Sequence, residues 1–282
     1  MKTSEVCTLT APVTKPPAIR VVTYNIHGCV GLDRRYDPAR IAALLREIDA
    51  DIACLQEVDP RRGGLQNGQG AYLGKATGRR VLLGSGIPDR PGRFANAILT
   101  RFPPLATRAI DLAIPGCEPR AAIDVDLMIG HHVLRVMATH FGLHMGERRL
   151  QANRMIAALG DPATQNGDPP QAVLLVGDLN EWRGRNGGII ALDRCLGPGA
   201  AAPTFPSFMP VLPLDRIYAL GPVVLRDVYV HRSPLARVAS DHLPLVGSLS
   251  WNTSQTDDRQ AAPAPMIPHR KRRRQNAAMG AV

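Results

Sequence analysis

Carboxylates, amides and imidazoles recur in this chain at the ends of runs that otherwise read as buried β-strands. They are Asn25, Glu57, His140, Asp178 with Asn180, Asp215, and Asp241 with His242. Strands that bury both faces have no structural use for such groups unless they gather on one rim, where they share a cation or a proton. Each also has a local reading when taken singly: Asn25 as the closer of a turn, Glu57 as the cap of a strand, Asp241 as a helix N-cap. The chemistry that a shared rim would support is that of hard oxygen donors. Such donors suit magnesium or manganese better than a thiolate metal.

The elements that must position these residues follow from hydrophobic spacing. Residues 20–26 (RVVTYNI) and 51–58 (DIACLQEV) read as strands flanking a helix. In that helix Asp37 is the N-cap, Pro38 takes the first turn, and Ile41, Leu44, Leu45 and Ile48 fall at i, i+3, i+4 and i+7. Further strands are expected at 81–85, 94–100, 105–112, 122–128, 133–140, 172–176, 214–219, 223–230 and 245–249. A second amphipathic helix is expected at about 147–159, with Ala152, Met155, Ile156 and Leu159 inward. Strands outnumber helices, so the expected architecture is two packed sheets flanked by helices.

In order along the chain, TYNIHG (23–28), LQEVD (55–59), ATHFGL (138–143), GDLNEW (177–182), LDRIY (214–218) and SDHLPL (240–245) resemble the motifs of the endonuclease/exonuclease/phosphatase, or DNase I-like, superfamily. The resemblance covers about 20–249 and is closest to its small bacterial members. It implies an α/β (α+β) four-layer sandwich of two mainly antiparallel sheets, and a magnesium-dependent phosphoric ester hydrolase, with manganese as the alternative ion. By the same resemblance Glu57 is the main metal ligand, with Asn25 and Asp241 in support. Asp178 orients or deprotonates the attacking water, Asn180 and His140 donate to phosphoryl oxygens, and His242 faces the scissile phosphate. Asp215 orients His242 by accepting its other ring N–H. Asn96, His27 and Arg148 are candidates for substrate binding. His144 also lies within reach of a phosphate, and Arg148 has the competing reading of an exposed helix residue.

The departures bear on substrate. Abasic-site endonucleases of the superfamily show Asn-x-Asn at the first motif and a Trp before the last Ser-Asp-His, where this chain has Asn25-Ile26-His27 and Ala239-Ser240-Asp241-His242. The leading expectation is a phosphodiesterase of nuclease type. The alternatives are a phospholipid head-group or sugar-phosphate hydrolase at a membrane surface and a non-catalytic nucleic-acid or lipid adaptor. The motif set is complete, which favours an enzyme over the adaptor.

Of 282 residues, 45% are hydrophobic and 21% charged, so collagen, coiled coil and wholesale disorder are excluded. Five cysteines, widely spaced and without CxxC, argue against a disulfide framework and for a reducing compartment. The first residues carry no apolar signal-like segment and no run is long enough to span a bilayer, so a cytoplasmic monomer is expected, with peripheral membrane contact as an option. Lys and Arg number 34 against 24 acids, a net charge of +10, and Arg270, Lys271, Arg272, Arg273 and Arg274 supply half of it. That run would meet nucleic acid or an anionic membrane, both rows of phosphates. The expected organisation is a flexible segment at 1–18, one domain at 19–250 and a disordered basic tail at 251–282. Shorter basic stretches at 89–93 and 183–186 are further places for a backbone phosphate. With 12 aromatics, several of them in strands, few rings remain for stacking bases.

Overall fold

The computed structural model describes residues 18–60, 68–84, 94–160, 170–183 and 187–252. The stretch 89–93, residues 184–186 and the basic run 270–274 lie outside the described residues. The first sheet has the strand order β11-β12-β1-β2-β4-β3, built from β1 (Ile19–Asn25), β2 (Ile52–Val58), β3 (Arg80–Leu83), β4 (Ala95–Thr100), β11 (Val223–Val230) and β12 (Leu245–Trp251). The second has the order β5-β6-β7-β8-β10-β9, from β5 (Pro104–Asp111), β6 (Ala121–Ile129), β7 (His132–His140), β8 (Ala172–Asp178), β9 (Ala200–Ala201) and β10 (Asp215–Leu220).

Each sheet has one parallel pair at its centre, β1 with β2 and β7 with β8; every other pairing is antiparallel. The crossovers that parallel pairing requires are α1 (Pro38–Ile48) and α3 (Met145–Leu159). Asp37 caps α1 by accepting the Arg40 N–H, and Pro38 opens the helix, as the sequence predicts.

Alternation along the central strands feeds three apolar layers. In β2, Ile52 and Cys54 face the layer between the sheets, while Ala53 and Leu55 face the layer beneath α1. In β8, Leu174 and Val176 face the same inter-sheet layer and Leu175 packs under α3 and α4 (Gly187–Leu196). The result is a four-layer α/β sandwich of helices, sheet, sheet and helices.

Three helices go beyond the two that apolar spacing predicts: α2 (Gln69–Thr77), α4 and the short α5 (Ala236–Ala239). Glycines hide the first two. In α2, a Cβ on Gly74 would stand 2.1 Å from Val81 Cγ2, so the glycine is there to let helix and strand approach closely. In α3 the inner face is Gln151, Ala152, Met155, Ala158 and Leu159, and Ile156 is only half-buried. Among the described residues no helix is long and apolar enough to cross a membrane.

Beneath α3 lies a buried ion network. Arg135 reaches Asp124 at 2.9 and 2.5 Å, and Arg108 bridges Asp124 and Asp126 at 2.7–3.2 Å. Both Arg135 and Asp124 are essentially inaccessible, so neither charge has water to fall back on. Removing Asp124 takes its carboxylate away from both arginines at once. Asp124→Ala should therefore cost about 3–5 kcal/mol in urea unfolding, far more than an exposed carboxylate deletion would.

Candidate active site

The topology gathers the strand-end residues before any side-chain contact is considered. Asn25 and Glu57 end or nearly end the parallel pair β1/β2, and His140 and Asp178 end the pair β7/β8. Strand β10 runs antiparallel to β8 in a register that sets Asp215 opposite Asp178. Strand β12 runs antiparallel to β1, pairing Leu245 with Thr23, so Asp241 and His242 in the preceding loop arrive beside Asn25. Ser240, buried, fastens that approach: its hydroxyl donates to the Asn25 carbonyl at 2.7 Å.

Asp178 is the hub. It is 1% exposed, and its Oδ2 accepts from Asn25 Nδ2 at 3.1 Å and lies 3.5 Å from both His140 Nε2 and His242 Nε2. Its Oδ1 accepts the Asn180 N–H at 2.9 Å, an Asx turn that lets Asn180 adopt φ 51°. Asn180 Nδ2 in turn donates to the Phe141 carbonyl at 2.9 Å and lies 3.0 Å from His140 Nε2.

Glu57 is aimed at the site by a break in its strand. The β2/β4 register shifts between Leu55 and Val58, and Glu57 takes φ 56°, a left-handed conformation that turns its carboxylate toward Asn25. Asn25 Nδ2 donates to Glu57 Oε1 at 2.9 Å, while its own Oδ1 accepts the His27 N–H at 3.0 Å. Burial raises the Glu57 pKa; the Asn25 hydrogen bond opposes this, and the charges of Asp241 and Asp178 add to it.

The two imidazoles diverge. Burial alone would lower the pKa of His242, but Asp215 at 2.9 Å and the nearby Asp178 outweigh it and raise the value to about 10. Asp215 Oδ2 also accepts the Thr204 hydroxyl, and Phe205 packs against the His242 ring at 4.9 Å. His140 goes the other way, to about 3: burial dominates, Asp178 opposes it, and the Arg120 charge reinforces it. Arg120 Nη1 stands 3.2 Å from His140 Nδ1. The site thus pairs a protonated imidazole with a neutral one.

Not every candidate joins this cluster. Asp241 is about one-third exposed with Oδ1 4.0 Å from His27 Nδ1, so both stand at its rim. Asn96 is buried and spends its amide on the Ala121 carbonyl at 2.7 Å, bridging the two sheets. Arg148 corrects its exposed-helix reading: it is 4% exposed, bonded to Glu181 Oε2 at 3.0 and 3.1 Å and to the Leu143 carbonyl, with its guanidinium over Trp182. With its donors so committed, Arg148 pins the GDLNEW loop to α3. Residues that the sequence did not single out are Arg120, Thr204 and the anchoring hydroxyl of Ser240. Each works through a partner distant in the chain, and only Ser240 had a local signal, as part of SDHLPL.

The donor set fits a hard divalent cation. Glu57 and Asp241 offer carboxylate oxygens, and Asn25 presents its NH2 to two of the carboxylates, so it holds Glu57 in place more readily than it ligates. The surplus of negative charge over the one protonated imidazole is what a cation would relieve.

Two consequences are measurable. The raised pKa of His242 means that the stability carried by its pair with Asp215 is fully present below about pH 6.5 and is lost as the pH rises through about 10. Asp215→Asn should move the His242 NMR titration down toward the ordinary imidazole range and remove that pH dependence. Arg148→Ala, which removes the guanidinium bonded to the buried Glu181 carboxylate, should cost about 3–5 kcal/mol of stability, read by chemical denaturation.

Residues 22–242 match the Endonuclease/Exonuclease/phosphatase family model. The uncharacterized protein YbhP of Escherichia coli K12 is 29% identical over 259 residues, covering 82% of this chain and 96% of that one. Among solved structures, the mannosyl-6-phosphatase Bt3783 of Bacteroides thetaiotaomicron superposes with a TM-score of 0.64 at 16% identity, covering 83% of this chain and all of the other. The D. rerio protein TDP2, complexed with single-strand DNA product, superposes with a TM-score of 0.62 at 18% identity over 83% and 99% of the two chains. At these identities the two structures speak for the fold. With the family match running from the first strand to His242, the chain belongs to the endonuclease/exonuclease/phosphatase family of phosphoester hydrolases.

Proposed function

We propose that this protein is a magnesium-dependent hydrolase of phosphate diesters. The observation that carries the reading is the Asp178 carboxylate, faced at 3.1–3.5 Å by the Asn25 amide and by the imidazoles of His140 and His242. Magnesium, bound through Glu57 and Asp241, would neutralise charge on the phosphoryl oxygens; it commonly keeps several waters and needs only one or two protein carboxylates.

The chain's own residues supply the rest. Asp178, held by Asn25 and the Asn180 backbone, orients the attacking water and takes its proton. His242, kept protonated by Asp215, faces the phosphate as a cation and so cannot serve as the base. His140, neutral, offers a ring N–H to a phosphoryl oxygen, and Asn180 offers its amide. Asn25 fixes Glu57. Donors of this kind act by tightening as charge develops in the transition state.

The unit that does this is the 19–250 domain, so deleting 263–282 should leave turnover of a small soluble phosphodiester unchanged. Asp178→Asn and His242→Ala should each lower kcat by about 100- to 10,000-fold, and the isosteric Asp178→Asn should leave the thermal transition in place. A panel of plasmid DNA, RNA oligonucleotide, phospholipid vesicles, a chromogenic phosphodiester and sugar phosphates, each with magnesium and with EDTA, tests the reading. It expects diester hydrolysis that EDTA abolishes. Hydrolysis confined to sugar monophosphates would move the substrate class, and full activity of Asp178→Asn would remove the assigned roles.

A further inference from the structure

Among the described residues, the group of three His, Cys, Asp or Glu residues whose ligand atoms all lie within 4.8 Å of one another is not at the strand ends but on Cys117, His144 and Glu147. We propose that these three residues form a second metal site, for a zinc-class divalent ion.

The donors come from two separate segments. Cys117 ends a turn in which its N–H reaches the Ile114 carbonyl at 3.0 Å, with Pro115 and Gly116 at the corner and Gly116 at φ 79°. His144 and Glu147 open helix α3. Buried Gln151 holds the segments in register: it donates to Glu147 Oε1 at 3.1 Å and to the Leu112 carbonyl at 3.3 Å, and accepts the Gly142 N–H at 2.8 Å. Arg154 adds a bond to the Ala113 carbonyl at 2.8 Å. An oriented ligand with a buried hydrogen-bonding partner behind it is how metal sites are held in shape.

The chemistry of the set is specific. A thiol, an imidazole and a carboxylate are the donors that zinc accepts in tetrahedral sites, and three protein donors leave the fourth position open. Zinc–ligand distances of about 2.0–2.3 Å put neighbouring donors roughly 3.3–3.8 Å apart. His144 Nδ1 and Glu147 Oε2 already stand at 3.7 Å. The His144 side chain is 82% exposed, so the ion has an entry path and the imidazole has freedom to close.

Glu147 needs the ion most. Its carboxylate is 3% exposed and packed so closely on Gly142 that a Cβ there would stand 1.9 Å from Glu147 Cδ. The Cys117 thiol donates to that carboxylate, and burial followed by the Glu147 charge raises its pKa. On binding, the thiol proton leaves to solvent, the sulfur–metal bond forms, and one thiolate and one carboxylate balance a divalent ion. Glu147 also accepts the His144 N–H in the manner of a capping box, but at 3.5 Å, and capping gives no reason for Cys117 to be present.

The test uses the full chain with excess magnesium, so that the oxygen-lined site is filled by its own ion, and titrates Co2+ as the spectroscopic probe. One equivalent should give a thiolate-to-cobalt charge-transfer band in the near ultraviolet. Cys117→Ser should abolish the band, and His144→Ala should weaken cobalt binding by more than about 100-fold. Zinc should raise the Tm of the wild type and leave that of Cys117→Ser unmoved. A wild-type protein with no band, or a band that survives unchanged in either variant, overturns the site. None of these readings uses turnover, so the outcome is independent of the phosphoester reading, and magnesium-supported activity of Cys117→Ser should equal the wild type.

Discussion

Burying like charges at one spot is the constraint on which this molecule turns. Glu57, Asp178 and Asp215 meet where the two sheets end, with Asp178 and Asp215 fully enclosed and Asp241 at the rim. Ionised carboxylates repel each other more strongly as water is withdrawn. The structure answers in three ways. Asp215 draws a proton onto His242, Asn25 donates to Glu57 and Asp178 together, and the backbone of Asn180 donates to Asp178. Balance remains incomplete without a cation, which is the physical basis for the metal in the proposed mechanism.

The architecture makes this meeting unavoidable. Both sheets have the same plan, with a central parallel pair bracketed by antiparallel strands, and both parallel pairs end at the same edge of the sandwich. Residues at the carboxyl ends of parallel strands project past the hydrogen-bonded ladder, where there is room for a ligand. The antiparallel partners β10 and β12 then begin where β8 and β1 end, delivering Asp215 and the Asp241–His242 pair. Local strain finishes the aim. Glu57 and Asn180 both adopt positive φ, and each is held there by its surroundings: a bulge against β4 for one, an Asx turn onto Asp178 for the other.

The divergence of His140 and His242 illustrates how far environment outweighs residue type. Both are buried, both stand 3.5 Å from the same Asp178 oxygen, and burial lowers both. The difference lies behind each ring. Asp215 backs His242, whereas Arg120 backs His140, so one imidazole is held charged and the other neutral. A site with both forms side by side can neutralise an oxyanion and donate a neutral hydrogen bond to it at the same pH.

Much of this was legible in the chain itself. Alternating apolar runs fixed most of the strands to within a few residues, Asp37-Pro38 and the spacing from Ile41 to Ile48 fixed the first helix, and the polar terminations of the strands pointed to the site. These are local signals, carried by period and by neighbours. What the sequence could not carry were interactions between residues far apart in the chain. Arg148, by spacing an exposed helix residue, is buried because Glu181, 33 positions on, needs its charge. Arg120 acquires its role only because β6 begins beside the end of β7, and Cys117 meets Glu147 only because Gln151 docks their segments. Residue types and their periodicity determined which elements form and which groups stand at their ends; packing the two sheets face to face decided which charges share an oxygen, and therefore which of them carry a proton.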